Sequence, residues 1–227
     1  MKTTLAAIVL SLTVLFAEAQ TKVFREVSEE ISSQIRTIRQ DNTLVGYVVF
    51  TQLEKANADS FNYKITIMDE NLNDIGTINF REIKLFLQSV SFEEDVLCLA
   101  YVKTNILGNE YRNLREFRGA APKGRNAVLM QFLGLDGKII KSQSIPVDIK
   151  VTDYYGSYSS KVLAGGKLAQ PIQLHNVAGR GFACFYGDDN KNNLRIYDAK
   201  GNQYWHKTVK EEGAQAFGLL TSNDNVY

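Results

Sequence analysis

Residues 63–80, Tyr-Lys-Ile-Thr-Ile-Met-Asp-Glu-Asn-Leu-Asn-Asp-Ile-Gly-Thr-Ile-Asn-Phe, read as two strands joined by a turn that opens with aspartate. The pattern recurs at residues 128–140 and 194–206. The aspartates that open the three turns are Asp69, Asp136 and Asp198. They lie 67 and then 62 residues apart, which indicates unequal copies of one unit. Because repetition sets the architecture of a chain, we expect an all-β repeat fold.

Each hairpin is preceded by an apolar strand, so the repeating unit is longer than a hairpin. These strands lie at residues 44–50, 96–101 and 181–186, and a fourth follows the last hairpin at 216–220. Nearly continuous apolar runs are typical of strands that are covered on both faces. A buried inner strand followed by more polar outer strands is the profile of a propeller blade.

The chain resembles β-propeller repeat proteins. The resemblance is carried by Ser-Phe-Glu-Glu-Asp-Val-Leu at 91–97, which reads like the start of a blade, and by the Asp-Gly and Asp-Ala-Lys-Gly hairpins at 136–137 and 198–201. More loosely, residues 44–227 resemble the uncharacterised secreted propeller-like proteins common in Bacteroidetes. The resemblance implies three blades and a partial fourth, and it implies no activity. A β-sandwich built from the same hairpins is the alternative.

The N-terminus has the pattern of a secretory signal peptide. Lys2 supplies a positive charge, residues 5–16 form a short apolar core, and Ala-Glu-Ala at 17–19 provides the small residues of a cleavage site. An apolar run of this length is too short for a membrane span, which needs about 20 residues. We therefore expect cleavage between Ala19 and Gln20, no stable membrane insertion, and a secreted or periplasmic protein.

Residues 20–227 are expected to form a single β-repeat domain. Loss of residues 1–19 removes one basic and one acidic residue, which leaves 25 basic and 24 acidic residues. A nearly neutral chain has no long-range attraction to nucleic acid, so nucleic acid is not an expected partner. Because residues 216–227 repeat only the start of a unit, we expect an incomplete propeller whose exposed edges favour self-association.

The two cysteines, Cys98 and Cys184, occupy matching places in the second and third units. Packed sheets lie about 10 Å apart, whereas a disulfide requires Cα atoms within about 7 Å. The register therefore predicts two buried free thiols.

Between the signal peptide and the first apolar strand, apolar residues at 24, 27, 31, 35 and 38 have helical spacing. This spacing predicts a short amphipathic N-terminal helix.

Catalytic and metal-binding patterns are sparse. The two histidines, His175 and His206, have no cysteine or glutamate at the spacing of a zinc site. The Asp/Asn-rich turns at 69–73 and 188–192 lack the glycine and glutamate of a calcium loop. Glu93, Glu94 and Asp95 are interpreted as a solvated turn. We expect no metal, no cofactor and no assignable catalytic residue.

Two long connections are the candidate ligand-binding segments. Residues 111–126 are rich in basic side chains, and residues 153–171 carry tyrosines among glycine and serine. The candidate binding residues are Arg112, Arg115, Arg118, Tyr154, Tyr155 and Tyr158. Connections longer than about 12 residues are often functional. The arginines suit a carboxylated glycan or peptide, and the tyrosines suit stacking on a sugar.

The sequence thus predicts an exported, non-enzymatic binding or scaffold protein with a protein or glycan ligand. The alternative is an exported carbohydrate-active enzyme whose carboxylates lie on propeller loops, since such pairs come from distant segments.

Overall fold

A computed structural model describes residues 32–40, 43–105, 124–147, 172–188, 191–210, 219–222 and 225–227, together with the single residues Arg115 and Gly119. The elements in these ranges are β-strands, which confirms the predicted all-β class. They are β1 (Ser32–Gln40), β2 (Thr43–Lys55), β3 (Ser60–Asp69), β4 (Asp74–Ile83), β5 (Leu85–Glu93), β6 (Val96–Thr104), β7 (Asn126–Gly134), β8 (Ile139–Pro146), β9 (Gln173–Val177), β10 (Gly181–Asp188), β11 (Lys191–Tyr197), β12 (Gln203–Lys210), β13 (Thr221–Ser222) and β14 (Asn225–Val226).

The strands form three consecutive antiparallel sheets in which neighbours along the chain are neighbours in space. Sheet 1 has the order β1-β2-β3-β4, sheet 2 the order β5-β6-β7-β8, and sheet 3 is ordered β12-β11-β10-β9. A two-stranded pair, β13-β14, follows sheet 3. Along the stack, β1 contacts β5, β5 contacts β9, and β9 contacts β13. Open four-stranded sheets of this kind fit propeller blades and also fit the sandwich alternative.

The predicted hairpins are the last two strands of each sheet, but their register differs from the prediction in sheet 2. The Asp69 N–H donates to the carbonyl of residue 73, and the N–H groups of Gly134 and Asp198 donate to residues 138 and 202 in the same way. Equivalent turns therefore begin at 69, 134 and 198, and Gly134 rather than Asp136 is the equivalent residue. The Asp136 Oδ1 atom instead accepts from the Lys138 N–H at 3.1 Å.

Each sheet begins with one strand more than the sequence predicted. The predicted apolar strands are β2, β6 and β10, the second strands of their sheets, and β1, β5 and β9 precede them. The predicted N-terminal helix is wrong over residues 32–38, which belong to β1, and residues 24–31 lie outside the described residues. Pairing with β2 satisfies the backbone of β1, whose serines and β-branched residues are poor helix formers.

The predicted fourth apolar strand is also wrong where the structure describes it. Leu219 and Leu220 precede β13 and belong to no strand. The backbone N–H and carbonyl groups of Leu220 exchange hydrogen bonds with those of Tyr227. Leu219 is buried against Val177 and Ala183 of sheet 3, while Leu220 is exposed. Residues 216–218 lie outside the described residues.

Strands β6 and β7 of sheet 2 are buried on both faces because the sheet is packed between the other two sheets. Alternate side chains of β6 face sheet 1, where Leu97, Leu99 and Tyr101 enter one core. The intervening side chains, including Cys98 and Ala100, enter a second core with sheet 3. This two-sided burial is the reason that β6 reads as a continuous apolar run.

The chain passes from sheet 1 to sheet 2 through a single residue, Lys84. The Tyr63 hydroxyl fixes this corner, because it donates to the Ile83 carbonyl and accepts from the Leu85 N–H at 2.9 Å. The Lys84 ammonium donates to Gln52 and lies 4.8 Å from the centre of the Phe61 ring. Burial lowers the pKa of Lys84. The corner therefore brings the two sheets face to face without a loop.

Candidate functional site

Of the six predicted ligand-binding residues, only Arg115 belongs to the described part of the chain, where it is exposed. Arg112, Arg118, Tyr154, Tyr155 and Tyr158 lie outside the described residues. The predicted cleavage site at Ala19 and Gln20 also lies outside them. The candidate site described below is built from residues that the sequence did not single out, apart from His206.

A half-buried arginine is at the centre of a polar cluster on sheet 3. In the ladder, Arg195 of β11 lies between Cys184 of β10 and His206 of β12, so these three side chains share one face of the sheet. The Arg195 Nε atom donates to the Tyr186 hydroxyl at 2.7 Å, and a second guanidinium nitrogen donates to Gln203. The guanidinium carbon also lies 6.0 Å from the centre of the Tyr186 ring.

Two further side chains, Thr208 of β12 and Asn193 of β11, extend this network. The Thr208 hydroxyl donates to the Asn193 side-chain oxygen at 2.8 Å and lies 3.0 Å from His206 Nε2. Burial lowers the pKa of His206, and the positive charge of Arg195 lowers it further. Both effects favour the neutral imidazole. We name Arg195, His206, Asn193, Thr208 and Tyr186 the Arg195 cluster.

Arg195 forms no ion pair in the described part of the chain, and Asp188, on the same face of β10, is close enough to Tyr186 to raise the pKa of its hydroxyl. Ion pairs in that part of the chain join Lys103 to Glu82 and Lys138 to Asp136, and Arg195 belongs to neither. The nearby Tyr197 hydroxyl is buried and has no hydrogen-bond partner in the same part of the chain. A guanidinium that lacks a carboxylate is the chemistry of an anion-binding position.

The family model for Family of unknown function (DUF6770) matches residues 1–227. The chain belongs to the DUF6770 family. No curated protein and no solved structure matches the sequence. The DUF6770 family has no assigned function.

Glu93 of the DUF6770 protein is buried, and its interpretation as part of a solvated turn is wrong. Its Oε1 atom accepts from the Gly179 N–H at 2.8 Å, and its Oε2 atom accepts from the Asn176 side chain at 2.9 Å. Glu94 and Asp95 are exposed, as predicted, and both have positive φ angles. Glu93 therefore joins the β5–β6 turn to the β9–β10 turn of the next sheet.

No group of three or more histidine, cysteine, aspartate or glutamate side chains in the described ranges is arranged to hold a metal ion. Within the same ranges, no helix is long and apolar enough to cross a membrane. Glu93 is the only charged side chain among them that is buried, and both of its oxygens accept hydrogen bonds from the protein.

Cys98 and Cys184 are unbridged and fully buried in the core between sheets 2 and 3, which confirms the predicted free thiols. Burial raises the pKa of Cys184 to about 12, although the Arg195 charge opposes this increase. Burial raises the pKa of Cys98 as well. Since the thiolate is the nucleophile, neither side chain is a reactive cysteine in the folded protein.

We expect neither cysteine of the native protein to react with a thiol reagent, and both to react once the protein is unfolded in denaturant without reductant. The physical reason is that both side chains are inaccessible and protonated in the fold. Mass spectrometry after alkylation counts the labels. An unlabelled denatured chain with a mass two hydrogens lower would show a disulfide and would contradict the register of the two sheets.

Proposed function

We propose that this protein is an exported, non-enzymatic binding module that recognises a carboxylate group on a glycan or protein ligand through the Arg195 cluster. The observation that carries the proposal is the half-buried Arg195 guanidinium, which forms no ion pair within the described residues. Export is supported by the signal-peptide pattern at the N-terminus.

The geometry of the cluster suits a carboxylate. Arginine presents five N–H donors in a rigid planar fork that matches two carboxylate oxygens. Tyr186 and Gln203 hold the guanidinium in place and leave its other donors for a ligand. Fixing a side chain before binding lowers the entropy that binding costs.

The neighbouring side chains favour the same class of ligand. The exposed Thr208 hydroxyl and His206 imidazole border the guanidinium on β12, and neither carries a negative charge at pH 7. Partial burial of Arg195 strengthens a hydrogen-bonded pair with an anion, because water screens the charge less than at a fully exposed site. The Arg195 cluster therefore recognises the charge of the ligand, and the rest of the ligand contacts other parts of the surface.

The substitution Arg195→Gln tests the proposal. We expect the protein to bind oligosaccharides that contain uronic acids, or peptides rich in aspartate and glutamate, and not their uncharged counterparts. The variant should bind about tenfold or more weakly, as for loss of a charge-assisted hydrogen bond. Isothermal titration calorimetry at fixed ionic strength measures the change.

Arg81→Gln is the matched control, because Arg81 is an exposed arginine on β4 of sheet 1 that donates to Asn62. The two variants lose the same charge. Thermal unfolding of both variants verifies that they remain folded. If both bind the anionic ligands as tightly as the wild type, or if both weaken equally, the Arg195 cluster is not the binding site.

A further inference from the structure

The two junctions between the three sheets follow one stacking rule at their outer strands. At each junction, the turn between the last two strands of the later sheet lies on the last strand of the sheet before it. We call this turn the turn of its sheet. The turn of sheet 2 lies on β4, where a Cβ atom on Gly76 would be 2.5 Å from the Leu135 carbonyl oxygen. The turn of sheet 3 lies on β8, where Gln143 donates to the Gly201 carbonyl at 2.6 Å and Lys141 donates to Asn202 at 2.7 Å.

The ladder registers identify the equivalent position in sheet 3. Gly76 pairs with Ile67, Lys141 with Phe132, and Trp205 with Ile196, and each pair directly follows a register shift in its own sheet. Each of the three residues also lies seven positions after the start of its turn. Trp205 is thus the counterpart of Gly76 and Lys141, and Lys207 is the counterpart of Gln143.

The counterpart positions are covered in sheets 1 and 2 and open in sheet 3. Gly76, Lys141 and Gln143 are each partly buried, whereas every residue of β12 is exposed. Trp205 and Val209 are each 42% exposed, although they are large apolar side chains. We name Trp205, Lys207 and Val209 the β12 surface. Their ladder partners place them on the face of the sheet that carries Leu194, opposite to the Arg195 cluster.

We infer that the β12 surface binds an acidic β-hairpin turn of a partner protein. The stacking rule supplies the shape of the partner, because a hairpin turn occupies the equivalent position on β4 and β8. The charge comes from Lys207, and β12 carries no carboxylate; Lys210 lies on the opposite face, with its ladder partner Lys191. In the sheet 3 turn, Asp198 lies close enough to Lys141 of sheet 2 for a favourable charge interaction.

A hairpin fits this surface better than a whole sheet from a second copy of the chain. In the stack, the first strands contact one another, and β13 already occupies the position beside β9. The β13–β14 pair and Leu219 cover the inner part of this face, around Val177 and Ala183. The outer part, at β12, remains exposed. The surface therefore has room for two strands and their turn, and none for another first strand.

A cyclised hairpin peptide with the turn Asp-Glu-Asn-Leu-Asn-Asp, the sequence of residues 69–74, is the probe. We expect it to bind the wild-type protein. Its affinity for the Trp205→Ala and Lys207→Glu variants should be lower by about tenfold or more, as at an interface centred on an aromatic anchor. A peptide with the Glu and the last Asp changed to Gln and Asn should bind weakly to all proteins. Fluorescence anisotropy of the labelled peptide measures these affinities.

Lys64→Glu, an equal charge change at an exposed position of β3, is the matched control and should leave the affinity unchanged. Because an acidic peptide also suits the Arg195 cluster, the titrations are repeated in the Arg195→Gln background, where Trp205→Ala and Lys207→Glu should still weaken binding; this separates the inference from the proposed carboxylate site. Absence of peptide binding to the wild type, or equal affinity in all variants, would overturn the inference. Self-association that Trp205→Ala abolishes in sedimentation would overturn it too, because the occupant would then be a second copy.

Discussion

The Phe132→Ala variant is expected to lose about 3–5 kcal/mol of unfolding free energy, the usual range for deleting a fully buried aromatic ring. Phe132 of β7 is completely buried between sheets 2 and 3. Its ring centre lies 5.8 Å from that of Phe182 and 5.5 Å from that of Tyr197. The substitution therefore leaves a cavity at the place where the two sheets are held together.

The loss should be large because the backbone around this ring has little freedom to collapse. Gly201 approaches so closely that a Cβ atom there would lie 2.6 Å from the Phe132 ring, and its φ angle is +76°. The same glycine accepts the hydrogen bond from Gln143 that ties the sheet 3 turn to β8. Removing the ring thus takes away the support beneath an inter-sheet contact as well as the buried apolar area.

Urea-induced unfolding and thermal unfolding measure the effect, and the midpoint of the thermal transition should fall by about 10 °C or more for a chain of this length. Phe86→Ala is the control, because Phe86 is only partly buried on β5. Its loss should be clearly smaller. Equal losses for the two variants would mean that the core between sheets 2 and 3 does not hold the fold together.

The sequence predicted the parts of this fold that depend on neighbouring residues. The hairpin turns are visible because Asp69 and Asp198 each accept from the backbone N–H four residues later, at 2.8 Å and 2.7 Å, and this arrangement is a local one. The buried second strands are visible because both of their faces are apolar. In the sheet 2 turn, glycine replaces the first aspartate, and the nearby Asp136 therefore suggested a register two residues too late.

The parts that the sequence did not predict depend on pairings between distant residues. Glu93 looks like its exposed neighbours, and only contact with Gly179, 86 residues further on, makes it buried. Arg195 and His206 are cross-strand neighbours only because the ladder shifts register after Ile196. Knowledge of that shift, combined with strand alternation, would have placed both on one face. The first strands have weak patterns, since β9 has five residues and β1 has helical spacing.

The Glu93→Ala variant is expected to lose about 2–4 kcal/mol of unfolding free energy, because it leaves the Gly179 N–H and the Asn176 amide without their acceptor. These are the contacts through which the β5–β6 turn holds the β9–β10 turn, so the loss should appear first between sheets 2 and 3. The increase in amide hydrogen exchange rate over the wild type should therefore be larger at Gly179 than in sheet 1. Urea-induced unfolding measures the total loss of unfolding free energy.

A sharper comparison sets Glu93→Gln against Glu94→Gln, the same chemical change at adjacent positions, of which one is buried and one is exposed. Glutamine at 93 retains one oxygen and turns an NH2 group toward one of the two donors, so a substantial part of the alanine loss should remain. At position 94 the change should be close to neutral, as at most exposed sites. Equal stabilities of the two glutamine variants would show that Glu93 does not join the two turns, because a solvated carboxylate at either position would respond alike.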